Sequence, residues 1–580
     1  MIKGEELSFA YPEKNLYHQI SFTLEEGKHC ALIGGNGTGK STLADLIRRP
    51  EAYLYDGRLL RENVGRIGYV SQFVSHEKDR ENTVLEYLSE DFLRLQEQTQ
   101  AVCEQMDSAQ ELEPLLEQYQ LLLDEGEAMD ADHYEGNIRR QLHLAELEKK
   151  AELELSKLSG GEYKLVQIIR QMLRRPGLLI MDEPDVFLDF ENLNGLRDLI
   201  NAYEGTLLVV THSRYLLSHC FDQIWHLENA DLQEFQGSFA EYQYALLQKK
   251  IELQRAAAAD AAEIARTTEM VERMRKAATE VVDPLRGRTL KGKVSYLGRL
   301  LEQQIKAPFV EIRQPEITLP AVERTEEPEI LLQVTDHSLE FEEKLLEHVN
   351  FTIHAHEKVA LVGPNGTGKT TLLRQIWKGE CPSFHFGIGA KVGFFSQLQE
   401  ETLCEENTVY QEFYELGFES RDSVEEYLQR YCFNRESLKR KIKDLSGGEK
   451  NLLQLAKLAV GEVDLLLLDE PSSHLDLYAQ MALESALNAY QGAVLMVSHD
   501  FYNIVHCADR ILYVEQGTIR PMSARAFRKM IYKRHFSLEY LELEQRKRDL
   551  ETKISRCLAA GDWETAQGFC EELGTVVECM

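Results

Sequence analysis

Nowhere in its 580 residues does this chain hold a run approaching the roughly 20 apolar residues that cross a bilayer. A pore or channel built from the chain itself is therefore excluded, and a cytoplasmic location is expected. The opening residues, Met1-Ile-Lys-Gly-Glu-Glu6, lack the apolar core of a secretory leader. Ten cysteines are present, but none form a C-x-x-C pair. That spacing argues against a zinc or iron–sulfur site and for reduced thiols. Positive charge is scarce: 65 Lys and Arg stand against 97 Asp and Glu, a formal balance of −32. Such a chain as a whole repels nucleic acid, so any contact with it needs a local basic patch. With 43% hydrophobic residues, the length is sufficient for two or three domains with cores of their own.

What the chain does have, it has twice. Gly34-Gly-Asn-Gly-Thr-Gly-Lys40-Ser41-Thr42 and Gly363-Pro-Asn-Gly-Thr-Gly-Lys369-Thr370-Thr371 both fit the phosphate-binding pattern G-x-x-x-x-G-K-[ST]. Each is followed by an L-S-G-G-E pentad, at 158–162 and 445–449, then by a strand-like run ending in Asp-Glu, and then by a His after a second apolar run. Leu158 to His212 and Leu445 to His499 are both 54 positions. One such loop arises by chance; an ordered set repeated at matched spacing does not.

The residue types fit hydrolysis of a nucleotide. A glycine-rich loop after an apolar strand turns successive backbone N–H groups toward phosphate, and the following helix N-terminus adds partial positive charge. Gly34, Asn36, Gly37, Gly39 and Thr42, with Gly363, Asn365, Gly366, Gly368 and Thr371, form the two cradles. Lys40 and Lys369 are expected to reach the β- and γ-phosphates, and Ser41 and Thr370 to ligate Mg2+. Asp182 and Asp469 are placed to orient the metal's hydration shell, and Glu183 and Glu470 to polarise the attacking water. His212 and His499 are expected to steady the γ-phosphate. A lone histidine is more often structural, but the matched spacing favours function for this pair. Tyr11 and Phe341 precede the loops by 23 and 22 positions, where an aromatic ring can stack on adenine or simply pack in a core.

The two copies differ in length. Gln72 to Leu158 is 86 positions and Gln397 to Leu445 is 48, so the first copy carries 38 more residues. That insert is rich in Leu, Gln and Glu, and 90–135 holds 14 acids and one base, Arg94. It reads either as a solvated helical hairpin or as an arm that touches a basic protein. Between the copies, 239–306 is polar and helix-prone, broken by Asp283-Pro284, Gly287 and Gly292. Forty helical residues would reach about 60 Å. A helical pair with its tip near 282–293 is expected, followed by an extended return through Pro308, Pro315, Pro320 and Pro328. The last 45 residues form a charged helical pair with an apolar stripe of Leu538, Leu541, Leu550 and Ile554.

The ordered set of loop, Gln, pentad, Asp-Glu and His resembles the ATP-binding-cassette nucleotide-binding domain, twice, over about 1–237 and 330–520. The pentad is its most specific signal. The resemblance implies two cassettes that sandwich two ATP molecules head to tail within one monomer. One site would join Lys40, Ser41, Gln72, Asp182, Glu183 and His212 with Ser446, Gly447 and Gly448. The other would join Lys369, Thr370, Gln397, Asp469, Glu470 and His499 with Ser159, Gly160 and Gly161. Closure on ATP and opening after hydrolysis would be the working stroke.

Twin cassettes without membrane spans are similar to the ABC-F proteins, which act on ribosomes. The long linker entered through Gly237-Ser-Phe-Ala-Glu-Tyr242, the insert in the first cassette, and Leu468-Asp-Glu-Pro-Ser-Ser-His-Leu-Asp476 carry this likeness. It implies a 70S ribosome as partner, with the linker tip near transfer RNA and ribosomal RNA. Arg286, Arg288, Lys291, Lys293 and Arg299 against Asp283 make that tip +4, a sign that suits RNA phosphates, although a solvated basic turn has the same composition. General translation factor and antibiotic-protection factor both remain open.

The first cassette departs from the pattern. Met181-Asp-Glu-Pro-Asp-Val-Phe-Leu-Asp189 lacks the Asn-His before Leu-Asp, and Tyr163 stands where the second copy has Lys450. Both sites are expected to bind ATP, with equal hydrolysis in doubt. The expected architecture is α/β, two P-loop cassettes in tandem joined by an α-helical hairpin: 1–237 with an arm near 90–135, a linker over 238–329 with its tip near 282–299, a second cassette over 330–522, and a helical extension over 523–580. The ATPase subunit of a membrane transporter is the alternative, since it would share every ATP-site residue. It leaves the basic-tipped linker unexplained.

Overall fold

A computed structural model describes residues 1–11, 14–62, 64–72, 81–106, 112–186, 188–280, 291, 293–297, 314–322, 330–340, 344–535 and 538–580. The chain divides into two compact units, one of Met1–Gln236 with Gln314–Met530 and the other of Gly237–Arg313 with Ile531–Met580.

The larger unit contains both cassettes, each an α/β domain as expected. In the first, β1 (Ile2–Tyr11), β2 (Lys14–Leu24) and β4 (Asp56–Arg61) form an antiparallel sheet in the order β2-β1-β4. A second sheet runs β5-β6-β7-β3-β8-β9, from β3 (His29–Ile33), β5 (Ile67–Val70), β6 (Leu178–Asp182), β7 (Leu207–Val210), β8 (Gln223–Glu228) and β9 (Asp231–Gln236). All its pairings are parallel except β8 with β9. Parallel strands are covered on both faces, so they read as continuous apolar runs; every residue of β6 is buried. Helices α1 (Lys40–Arg48), α2 (Val84–Met106), α3 (Glu113–Met129), α4 (Tyr134–Leu144), α5 (Gly160–Leu173), α6 (Phe190–Asn201) and α7 (Arg214–His219) complete the cassette.

The second cassette repeats this plan. β10 (Ile330–Glu340), β11 (Lys344–His354) and β13 (Phe384–Phe386) pair in the order β11-β10-β13. β12 (Lys358–Val362), β14 (Val392–Phe395), β15 (Leu465–Asp469), β16 (Ala493–Val497), β17 (Arg510–Glu515) and β18 (Thr518–Ser523) form the sheet β14-β15-β16-β12-β17-β18. In each cassette the phosphate loop leaves the carboxyl end of an inner strand, β3 or β12, and the Asp-Glu strand lies two places away. Each core joins its two sheets: Leu7, Phe22, Leu46, Ile180 and Trp225 in one, Leu332, Phe351, Ile376, Leu467 and Leu495 in the other.

The inserted hairpin is α2 and α3. Its base is fixed to α5 by Asp91, which accepts from Arg170 Nε at 3.0 Å and Arg174 Nε at 2.7 Å. Burial pushes this carboxyl up, but the hydrogen bond from Arg170 and the charges of Arg174 and Arg170 outweigh it and hold it below its ordinary value.

The smaller unit is built on α8 (Phe239–Glu280), 42 residues long. The helices Leu538–Ala560 and Trp563–Glu578 pack on it through Leu550, Ile554, Ala566, Cys570, Leu573, Val576 and Val577 around Ile251. Lys547 Nζ also donates to Gln243 Oε1 at 2.6 Å. Most of the expected return arm and tip lies outside the described residues.

Candidate active site

The phosphate loops pass into their helices where left-handed backbone is required. Gly39 and Gly368, the residues before the two lysines, have φ of 102° and 87° and cap the helices that follow. Lys40 Nζ donates to the carbonyls of Gly34 (3.1 Å) and Gly35 (2.8 Å); Lys369 Nζ donates to those of Gly363 (2.8 Å) and Pro364 (2.7 Å). Burial lowers both lysines. Around the first loop, Tyr17 donates to Gly39 O at 2.6 Å, Lys14 Nζ to Gly37 O at 2.6 Å, and the N–H of Gly35 to Glu228 Oε2 at 3.0 Å. Pro364 replaces Gly35 in the second loop and has no N–H to give.

The hydroxyl after each lysine meets the strand carboxylate. Ser41 Oγ donates to Asp182 Oδ1 at 3.1 Å and Thr370 Oγ1 to Asp469 Oδ1 at 3.0 Å. The other oxygen of Asp469 is buried and has no hydrogen-bond partner among the described residues. Burial raises Asp182, and lifts Asp469 to about 6. Hard oxygens, one of them uncompensated, are a donor set suited to a hydrated divalent cation.

Glu183 and Glu470 both have positive φ, 45° and 51°. Each backbone N–H is drawn to the end of a neighbouring strand, to Val210 O and Val497 O at 2.9 Å. Left-handed backbone at a non-glycine residue is strained and recurs at functional positions. Gln72 Nε2 donates to Glu183 Oε2 at 2.6 Å. Burial, then the charge of Asp185, raises Glu183 to about 7; burial, then Asp469, raises Glu470 to about 8. These values lie in the range a general base uses near neutral pH.

The two histidines flank these carboxylates. His499 donates its backbone N–H to Glu470 Oε2 at 3.1 Å, while its Nε2 is 3.6 Å from Glu470 Oε1, too far for a hydrogen bond. Neither ring nitrogen of His212 has a hydrogen-bond partner among the described residues. Burial followed by the nearby lysine lowers both, His499 to about 3. Both imidazoles are therefore neutral, each with one N–H able to donate to an anion.

Of the expected signature residues, Gly448 is the one shown against the opposite phosphate loop. Ser159 and Ser446 each close a capping box: their hydroxyls accept from the N–H of Glu162 and Glu449, whose carboxylates accept from the serine N–H at 2.9 and 2.8 Å. A Cβ on Gly448 would lie 2.0 Å from Asn36 Nδ2 and 2.5 Å from His474 O. Asn36 Nδ2 itself donates to His474 O at 3.0 Å, and Gly447 stands against the His474 ring. In the first pentad a Cβ on Gly160, the counterpart of Gly447, would meet nothing within 4 Å.

Asp189 and Asp476 close the pair reciprocally, each seven positions after its Asp-Glu strand aspartate. Asp476 Oδ2 accepts from the N–H of Asn36 at 3.0 Å, and Asp189 Oδ2 from the N–H of Asn365 at 3.2 Å. Each uses its other oxygen to cap its own following helix, from Ala479 and Asn192.

Three expected placements differ or go undescribed. Gln397 lies exposed after β14 and makes no hydrogen bond to Glu470 among the described residues; Gln399 instead reaches Asn451 Oδ1 at 2.8 Å. Tyr11 is 48% exposed, edge-on to Phe9 at 5.0 Å, while Phe341 lies outside the described residues. At the tip Lys291 is exposed and Lys293 Nζ lies 5.6 Å from the Tyr296 ring centroid, whereas Arg286, Arg288 and Arg299 are outside the described residues.

Several contributors carry no motif. Arg214, two residues after His212, pairs with Glu484 and, at 3.3 Å, with Asp500 of the second cassette. Buried Lys164 donates to the carbonyls of Ser71 and, at 3.1 Å, Gln72, and burial draws it down to about 8.

The sequence pattern of the family described as ABC transporter matches residues 17–186 and 346–473. ABC transporter F family member 5 of Arabidopsis thaliana is 28% identical over 540 residues, covering 89% of this chain and 75% of that protein. The ribosome protection protein VmlR of Bacillus subtilis is 27% identical, with 88% and 86% covered. The energy-dependent translational throttle protein EttA of Escherichia coli K12 is also 27% identical, with 88% and 91% covered. Among solved structures, the archaeal ribosome recycling factor aABCE1, in complex with the stalk protein aP1, shares the fold at a TM-score of 0.52 and 19% identity, over 91% of this chain and 92% of that one. No helix among the described residues is long and apolar enough to cross a membrane. With two matched cassettes that together span just over half of its length, the chain belongs to the ABC transporter family, as a twin-cassette ATPase similar to members of the F family.

Proposed function

We propose that this protein binds the 70S ribosome and modulates translation by closing its two cassettes on Mg-ATP and reopening them after hydrolysis. The observation that carries the closing step is reciprocal: Asp476 holds Asn36, and Asp189 holds Asn365, so each phosphate loop is completed by the opposite cassette. Work on ribosomes is supported by the relatives, since VmlR is named for ribosome protection and EttA for translational throttling.

In this reading Lys40 and Lys369 bind the β- and γ-phosphates. Ser41, Asp182 and Gln72 hold Mg2+ at one site, and Thr370, Asp469 and Gln397 at the other, with Gln397 moving inward on closure. A bound Mg2+ would supply positive charge to offset that of the phosphates. Glu183 and Glu470 orient and deprotonate water, and neutral His212 and His499 donate to the γ-phosphate. Tyr11 and Phe341 stack on adenine. The basic tip, with Arg286, Arg288, Lys291, Lys293 and Arg299, contacts RNA, and the chain works in the cytoplasm as a monomer whose cassettes pair internally.

The test is ATP turnover by the wild-type chain with and without purified 70S ribosomes. Stimulation at saturating ATP is expected. Turnover that ribosomes leave unchanged contradicts the proposal and favours a transporter subunit.

A further inference from the structure

Lys164 is 1% exposed, at the fifth position of α5, the helix that the first pentad caps. An ammonium group so placed is costly unless its donors are used. They are: Nζ donates to the main-chain carbonyls of Ser71 and, at 3.1 Å, Gln72. The side chain of the same Gln72 donates to Glu183 Oε2 at 2.6 Å. A continuous path of hydrogen bonds thus runs from α5, through the loop after β5, to the carboxylate expected to activate water.

Among the described residues the second cassette shows no equivalent path. Asn451 stands at the matching place, six positions after Leu445 as Lys164 is six after Leu158. Its amide donates to Ser473 O at 2.6 Å and accepts from Gln399 at 2.8 Å, while Gln397 is exposed. The partner position changes as well: Asp185, three after Asp182, is replaced by Ser472, three after Asp469. Asp185 is held by Thr211 Oγ1 at 2.6 Å, and its charge acts on Lys164. Where the second cassette places a neutral Asn and Ser, the first places a buried Lys and a half-buried Asp.

We infer that Lys164 is a positioning residue of the first ATP site, which fixes the Gln72 loop so that Gln72 holds Glu183 in line, an arrangement particular to this cassette. The inference rests on the roles proposed above for Glu183 and the two sites. An apolar side chain at 164 leaves the Ser71 and Gln72 carbonyls without their donor. Gln72 then loses its fixed geometry, and a misplaced base slows chemistry more than it weakens binding.

The experiment uses the full chain with the second site silenced by Glu470→Gln and follows single-turnover ATP hydrolysis and ATP affinity separately. Lys164→Met is expected to lower the hydrolysis rate about tenfold while ATP affinity stays within about twofold. Added to Glu183→Gln, it should cause no further loss, because it acts through that residue. Lys164→Asn with Asp185→Ser transplants the pair found in the second cassette and guards against misfolding from an uncompensated charge; the same loss of rate is expected. An unchanged hydrolysis rate in either variant, or affinity falling in step with rate, overturns the inference while leaving the ATPase assignment intact. Full hydrolysis by Glu183→Gln in the same background overturns both.

Discussion

Arg214 of the first cassette is paired with Glu484 of the second, both buried. The same guanidinium lies 3.3 Å from Asp500, next to His499, and over the Tyr502 ring at 4.7 Å. Glu484 also meets His506 Nδ1 at 3.2 Å. One arginine, two positions after His212, thus joins Glu484 and the residue after His499 across the cassette boundary. Breaking a buried pair by removing one partner leaves the other charge uncompensated, at a cost of about 3–5 kcal/mol. Arg214→Met should therefore destabilise the paired cassettes by an amount of that order in denaturant unfolding. Arg214→Met with Glu484→Leu should recover part of it, because only Asp500 then loses its charged partner.

The same pair sets a pH dependence. Burial pushes Glu484 up, but the charge of Arg214 and the hydrogen bonds from His506 and Arg214 outweigh it and hold the carboxyl at about 2, against an ordinary 4.5. A depressed carboxylate contributes stability that is fully present above its unfolded pKa and is lost as pH falls toward the folded one. The gap in thermal stability between wild type and Glu484→Gln should be constant above about pH 5 and narrow toward pH 2. A gap independent of pH over that range would argue against an ionised Glu484.

Gly448→Ala places a methyl group 2.0 Å from Asn36 Nδ2, across the boundary the pair must close, and 2.5 Å from His474 O of its own cassette. ATP turnover should fall at least about tenfold, equivalent to roughly 1.4 kcal/mol in the barrier. Gly160→Ala, with nothing within 4 Å, should change turnover much less. Equal losses from the two would mean that Gly448 does not close against the Asn36 loop during turnover.

Replacing Arg286, Arg288, Lys291 and Lys293 by Ala should spare basal ATP turnover but weaken ribosome binding and flatten its salt dependence, by about one unit of slope for each RNA phosphate that is no longer neutralised. Unchanged ribosome binding would make the tip a solvated turn.

Much of the site was legible because each motif contains its own structural reason. The pentad is a capping box, so it announces a helix start. The apolar runs before Asp182 and Asp469 are strands buried on both faces. Gly39 and Gly368 sit where the backbone turns left-handed. Other features were hidden for a physical reason. Arg214 and Glu484 are 270 positions apart, and a buried ion pair leaves no local periodicity. Lys164 looks like one more lysine of a charged helix until its carbonyl partners are seen. The tail helices pack on α8 through a stripe that in sequence fits a coiled tail equally well. Gln397, matched to Gln72 as the end of a strand-like run, is exposed, and Gln399 meets Asn451 instead.

The most direct measurement is co-sedimentation of the Glu183→Gln, Glu470→Gln double variant with 70S ribosomes, with and without Mg-ATP. Removing both bases should leave ATP binding intact and arrest the closed state, so the variant should pellet with ribosomes only when Mg-ATP is present. Failure to pellet under conditions where ATP binding is verified would contradict a ribosome-directed ATPase and turn attention to a membrane partner.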